Sequence, residues 1–377
     1  MDFDFSDDQV SLREAVSRWV SKEHGFERRH ALAKAGGAAR AVYGELAELG
    51  LTALAVPEAQ GGMGFGPVEA MVVLEELGRG LVSAPYAQGA LIAPALLQRG
   101  DATLAASWLP RVADGSALVV LAHQERAARY DLSRCTATAR ADGGGGGDGG
   151  GWRLSGHKSV VPAGDEADAF IVPAVLDGRI ALFLVKRDAA GLSVRGYPTQ
   201  DGARAAEVAM QDSPAALITR EGLEALELAQ DIGIAALAAE AVGVMDRLVA
   251  TTVDYMNTRK QFGAALSSFQ ALRHRMADVK MQQELGRSMS FYATLKLGEP
   301  AEQRRRALSQ AKVQINQSVR FVGQQCIQLH GGIGVTDEYS ASHDFKRLTM
   351  IEMAWGDTVH HLGQVSERMQ ETAGVFA

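Results

Sequence analysis

Cysteine is scarce in this 377-residue sequence, which holds only Cys135 and Cys326. The two have no metal-ligand spacing and read as reduced thiols of a cytoplasmic protein. No apolar stretch is long enough to span a bilayer, and Met1–Ser6 has neither the basic region nor the apolar run of a secretory signal. Basic charge is in deficit: 38 Lys and Arg against 45 Asp and Glu give a net charge of -7, with a pI near 5.8. Nucleic acid and anionic membrane both require a basic face, so neither is expected as a main partner, and a small-molecule ligand is. What is present is the composition of an ordinary soluble protein, 47% hydrophobic and 22% charged. The length suits two or three sub-domains around a shared core.

Hydrophobic period divides the chain into three. Over residues 1–117 apolar side chains recur on helical faces, as in Leu12, Val16, Trp19 and Val20, and in Ala70, Val73, Leu74 and Leu77. Over 118–222 the runs shorten to Ala169–Val172 and Ile180–Val185, bounded by Gly, Asp and Pro, which predicts a β-domain. The glycine-rich stretch from Asp142 to Gly151 lacks the Lys-Ser/Thr and the following helix of a P-loop and reads as a hairpin tip. Over 223–377 the helical period returns, with Met245, Leu248, Val249, Val253 and Met256 as one stripe. The Ala-rich segment Leu223–Val242 suits a helix buried in a bundle or at a subunit contact.

Two patches in the last third have the chemistry to hold a dinucleotide. Arg259-Lys260-Gln261-Phe262-Gly263, followed by Gln270, supplies a planar guanidinium, an aromatic surface and an amide. Gln328-Leu329-His330-Gly331-Gly332-Ile333-Gly334 supplies a second amide and glycines that leave backbone N–H groups unshielded. Together with Leu46–Gly64 and Leu74–Arg79, these patches resemble the acyl-CoA dehydrogenase family across nearly the whole chain. The resemblance implies an α+β fold: an N-terminal helical domain, a middle β-barrel or sandwich, and a C-terminal four-helix bundle. It also implies FAD held by Arg259, Phe262, Gln270, Gln328, Gly331 and Gly332. An acyl-CoA thioester as substrate, a homodimer or tetramer, and electron-transfer flavoprotein as acceptor complete the set.

In that family a catalytic glutamate commonly follows the second patch, just before a glycine, and gap-free counting puts Trp355-Gly356 there. An indole N–H donates and cannot take a proton. The alternative family position, on the helix before Arg259, counts to Gly233, so neither usual position carries a catalytic residue. On the same helix Asp231 matches a carboxylate, while Ile234 stands where some relatives have a CoA-binding arginine. Facing the flavin ring, the family's Thr-Glu-Pro…Gly-Ser-Asp reads Gln124 to Asp131, with Arg126 and Arg129, and its Trp-x-Thr reads Val160-Val161-Pro162.

Replacement bases exist in the sequence: Glu240, Asp231, Glu352 and Asp357. For Glu240, in an apolar helix, a structural ion pair with an arginine is the expected state; Glu352 and Asp357 are expected to cap or pair. Adjacent His360 and His361 point apart on a helix and lack a third ligand, so no metal is expected. One reading is a self-sufficient homo-oligomeric dehydrogenase with a relocated base. A second is a subunit completing the FAD site of a catalytic sister in a heterotetramer, similar to the small subunits of bacterial two-component enzymes of the pimeloyl-CoA type, which the run from His343–Thr349 through Gly356-Asp357 also resembles. A third is a non-redox enzyme on the same frame.

Overall fold

The computed structural model describes residues 4–37, 39–143 and 151–372. Helices α1 (Asp7–Glu23), α2 (Phe26–Lys34), α3 (Ala39–Glu48), α4 (Pro67–Arg79), α5 (Ala93–Leu97) and α6 (Ala102–Ala113) come first. Strands β1 (Val119–Leu121), β2 (Thr138–Ala141), β3 (Trp152–Pro162), β4 (Ala169–Leu176), β5 (Arg179–Lys186), β6 (Leu192–Pro198) and β7 (Arg204–Thr219) follow. Then come α7 (Gly222–Thr258), the short strands β8 (Lys260–Gln261) and β9 (Ala264–Ala265), α8 (Gln270–Lys296), α9 (Ala301–His330), α10 (Ser340–Met353) and α11 (Thr358–Thr372). Helix, sheet, helix is therefore the observed order. Among the described residues no helix is long and apolar enough to cross a membrane.

Contacts gather the chain into two units. One comprises His30–Gly66 and Ser83–Gly233 and contains the sheet. Here β3 pairs antiparallel with β2 and β7, β7 with β5, and β5 with β4. Since β4 also pairs with β2, the circuit closes, which removes free edges from these strands. The interior is filled by Trp152, Phe170, Phe183, Val185 and Val208. β4 is buried along almost its whole length, so it reads as a continuous apolar run rather than an alternation. Asp142 N–H donates to Gly151 O at 2.9 Å where β2 turns toward β3; the tip itself, 144–150, lies outside the described residues.

The other unit comprises Met1–Arg29, Pro67–Val82 and Ile234–Ala377. α1 starts with a capping box, in which Gln9 N–H reaches Ser6 Oγ and Ser6 N–H reaches Gln9 Oε1. α4 crosses α7 backbone to backbone: a Cβ at Gly78 would strike Glu240 O, and one at Gly243 would strike Glu75 O. The core joins Val242, Met245, Leu248, Val279, Ile315, Val322, Leu348 and Ile351. One member of the expected α7 stripe departs, since Val253 is 40% exposed while Met245, Leu248, Val249 and Met256 are buried. Beneath the core, Asp246 of α7 accepts from Arg79 at 2.5 Å and from Arg287 at 2.6 Å. Burial opposes ionisation of Asp246, but the two guanidinium partners outweigh it and hold the pKa down.

Candidate functional site

α7 ends in a tight hairpin. Arg259 N–H still donates to Tyr255 O at 2.8 Å, and Arg259 O accepts from Leu266 N–H at 2.9 Å. β8 and β9 are joined by Phe262 and Gly263, at φ 54 and φ 79. Two successive left-handed residues suit a tight two-residue hairpin loop, where the first is usually Asn, Asp or Gly. Here it is a phenylalanine, 95% exposed, whose nearest ring is Phe269, edge-on at 6.3 Å. Arg259 and Gln270 are exposed too, and the Arg259 guanidinium pairs with no carboxylate among the described residues.

The second patch closes α9. Gly331 adopts φ 63 and ψ -142, a conformation open essentially to glycine alone. Cβ atoms at Gly331 or Gly332 would meet nothing, so the chain's own packing does not require these glycines to be small. Gln328 is exposed beside them. Tyr255, one turn before Arg259, lies 4.7 Å from the ring of His330, so both patches sit at one end of the helical unit.

Position 355 is built differently. Trp355 holds φ 59 and, half-buried, packs against the cluster formed by Ile234, Ala235, Ala293, Ala307, Leu308 and Ala311. Gly233 is buried on α7 beside Ile234. The candidate carboxylates of the helical unit are engaged. Glu240 accepts from Arg347 Nε at 2.6 Å and from Nη2 at 2.7 Å. Glu352 is buried and pairs with Arg320. Asp357 caps α11 by accepting from His360 N–H at 2.9 Å. Asp231 is 2% exposed.

In the sheet unit, Glu125 is buried against the fully buried Lys158 at 2.6 Å. Burial pushes Glu125 up, yet bonds from Lys158 and Thr136 bring it down to about 2. The exposed Arg126 and Arg129 follow it, Arg129 at φ 51. Val160 stands at φ 52 where the β3–β7 register shifts, a strained backbone for a β-branched residue.

Three family models tile this sequence: the acyl-CoA dehydrogenase N-terminal domain over 6–116, the middle domain over 121–212 and the C-terminal domain over 220–370. The chain belongs to the acyl-CoA dehydrogenase family. Acyl-CoA dehydrogenase FadE27 of Mycobacterium tuberculosis is 26% identical over 88% of this chain and 89% of its own length. Among solved structures, the steroid ACAD Tcur3481-Tcur3483, a G363A variant, is similar at 29% identity and TM-score 0.87, covering 97% of this chain and 99% of that one. The ChsE4-ChsE5 complex of Mycobacterium tuberculosis is similar at 25% identity and TM-score 0.87, covering 99% and 100%.

Within this acyl-CoA dehydrogenase fold, the turn carrying Trp355 rests on residues that sequence reasoning missed. Fully buried Lys312 donates to Ile351 O and Asn316 Oδ1 at 2.7 Å and to Glu352 O at 3.3 Å, tying down the last carbonyls of α10. Asn316 Nδ2 donates to Gly356 O at 3.4 Å, and His361 Nε2–H donates to Trp355 O at 3.0 Å. Burial lowers the pKa of Lys312 to about 7 and that of His361 to about 3, so the imidazole is neutral. A lysine four residues before an asparagine, among the buried residues Leu308, Ala311, Ile315 and Val319, was the available signal; the carbonyls of Ile351 and Glu352, some 40 residues downstream, gave none.

Proposed function

We propose that this chain is an FAD-holding subunit which runs no desaturation of its own and completes the flavin site of a catalytic sister subunit. The observation that carries the reading is the fate of the carboxylates. An indole fills position 355, and Glu240, Glu352 and Asp357 are each committed to a structural partner. Removing the α-proton of an acyl-CoA thioester requires a basic group within hydrogen-bond reach of it, and none of these three offers one.

Family members bind FAD, and the residues at the end of the helical unit fit its diphosphate half. Arg259 would set a fixed guanidinium against the diphosphate, and the open backbone at Gly331 and Gly332 would let N–H groups approach closely. Phe262 would offer its exposed ring, and Gln270 and Gln328 their amides. Bound FAD supplies hydride acceptance from the β-carbon of the thioester. The ring-facing segments of the sheet unit fit less well, because Arg126 and Arg129 bring bulk and Pro162 has no N–H to donate. Loss of ring contacts with retention of the diphosphate grip is what a donor to a neighbour's flavin would need. Similarity to the ChsE4-ChsE5 complex favours a heteromer over a self-sufficient homo-oligomer. The latter reading would rest on Asp231 as base. Electron-transfer flavoprotein remains the acceptor expected of the assembled enzyme.

The test is Arg259→Ala in the flavin-bearing assembly. Flavin content per protein is expected to fall at least severalfold, since charge-assisted bonds of this kind contribute about 1.5–3 kcal/mol. Unchanged flavin content would remove Arg259 from the site.

A further inference from the structure

Three rings tie the two halves of the proposed diphosphate grip together. Tyr255 belongs to the last turns of α7, one turn before Arg259, whose N–H it accepts. His330 is the last residue of α9 and directly precedes Gly331. Tyr339 follows the turn Gly331–Val335 and directly precedes α10. Their centroids lie 4.7 Å apart for Tyr255 and His330, 5.2 Å for His330 and Tyr339, and 6.3 Å for Tyr255 and Tyr339. The interplanar angles of 33°, 58° and 62° are tilted to edge-on, the arrangements that aromatic pairs favour.

His330 is the middle member and is 3% exposed. Its Nδ1–H donates to Cys326 O at 2.8 Å, fixing the ring in the helix groove. Burial lowers its pKa, so the ring stays neutral at physiological pH and acts as an aromatic spacer rather than a cation beside the diphosphate.

We propose that Tyr255, His330 and Tyr339 are positioning residues for the flavin grip: the stack holds the Arg259 hairpin and the Gly331–Gly332 backbone at the spacing one diphosphate requires. The inference rests on the FAD-holding role proposed above. Physically, a grip assembled from two helix ends gains affinity only if both ends are held before the ligand arrives; otherwise binding must order them. The three rings are the described aromatic contacts joining those ends, and each is adjacent in sequence, or one helical turn away, from the group it would place.

The experiment measures FAD release and ADP binding by the purified flavin-bearing assembly carrying His330→Ala, His330→Phe or no substitution, with far-UV circular dichroism and thermal midpoints alongside. His330→Ala is expected to release FAD roughly tenfold faster and to weaken ADP binding comparably, the scale of one lost aromatic pair and its ordering. His330→Phe keeps the ring and should return both values to within about twofold of wild type on that account. Combining His330→Ala with Arg259→Ala should cost less than the sum of the two, because each change disables the same two-ended grip. Wild-type release by folded His330→Ala overturns the proposal, as does a His330→Phe variant that is folded yet as weak as the alanine. Additive losses in the double variant would do the same. If the unsubstituted assembly binds neither FAD nor ADP, the FAD-holding role itself fails, and the positioning role falls with it.

Discussion

An indole at position 355 changes what the turn after α10 can present. The half-buried ring lies against the apolar cluster of Ile234, Ala235, Ala293, Ala307, Leu308 and Ala311, and a carboxylate there would be partly desolvated by it. Trp355→Glu alone is therefore expected to leave flavin unreduced by any acyl-CoA, with Arg126, Arg129 and Pro162 unchanged in the sheet unit. Bleaching of the flavin by that single variant would show the cleft to be less altered than the packing implies. A second residue reports on pH. Asp344 is fully buried with both oxygens lacking a hydrogen bond, and Arg247 Nε is 3.5 Å away. Burial pushes its pKa up to about 7, against the lowering pull of Arg247 and Arg29. A carboxyl that binds its proton more tightly folded than unfolded costs stability as pH rises from the ordinary value near 4 through about 7. Asp344→Asn cannot ionise, so its thermal midpoint relative to wild type should climb across that window. A midpoint difference flat from pH 4.5 to 7.5, or falling, would contradict the assignment (both pH values being about the ends of the window).

At the scale of elements, the β8–β9 hairpin holds strain in an exposed place. Phe262 at φ 54 occupies a position that glycine or asparagine would fill at lower cost, and 95% of its surface faces solvent, so folding of the isolated chain gives no return for it. Phe262→Gly should raise the thermal midpoint by the equivalent of about 1 kcal/mol while weakening flavin retention. A variant that is less stable, or that holds flavin as well as wild type, would argue against a ligand-bearing loop. Much at this scale was legible. Periodicity located α4 and α7, and apolar runs located β4 and β5, because side-chain burial there follows the local repeat. The Glu240–Arg347 pair was foreseeable, since a carboxylate in an apolar helix needs a cation. Closure of β4 onto both β2 and β5 was not, nor was the anchoring of the Trp355 turn by Lys312, Asn316 and His361. Both depend on contacts between residues distant in sequence, which no local pattern encodes. Val253 was misplaced because it lies at the edge of the stripe, 40% exposed while Thr252 and Met256 beside it stay buried.

For the whole molecule, two observations combine in the proposed role: Arg259 and the open backbone at Gly331 and Gly332 lie at one end of the helical unit, and an indole rather than a carboxylate stands at position 355. On that proposal the chain serves a flavin enzyme only in company, a reading in keeping with its similarity to the ChsE4-ChsE5 complex. The direct measurement is the visible absorption spectrum of the chain purified alone, with flavin-to-protein stoichiometry, followed by anaerobic addition of a mixed set of acyl-CoA thioesters. The account predicts either a colourless protein or a bound flavin that no thioester reduces, with reduction appearing only when a sister chain carrying the missing carboxylate is present. A flavin on the isolated chain that bleaches on thioester addition would mean that this subunit abstracts the α-proton itself.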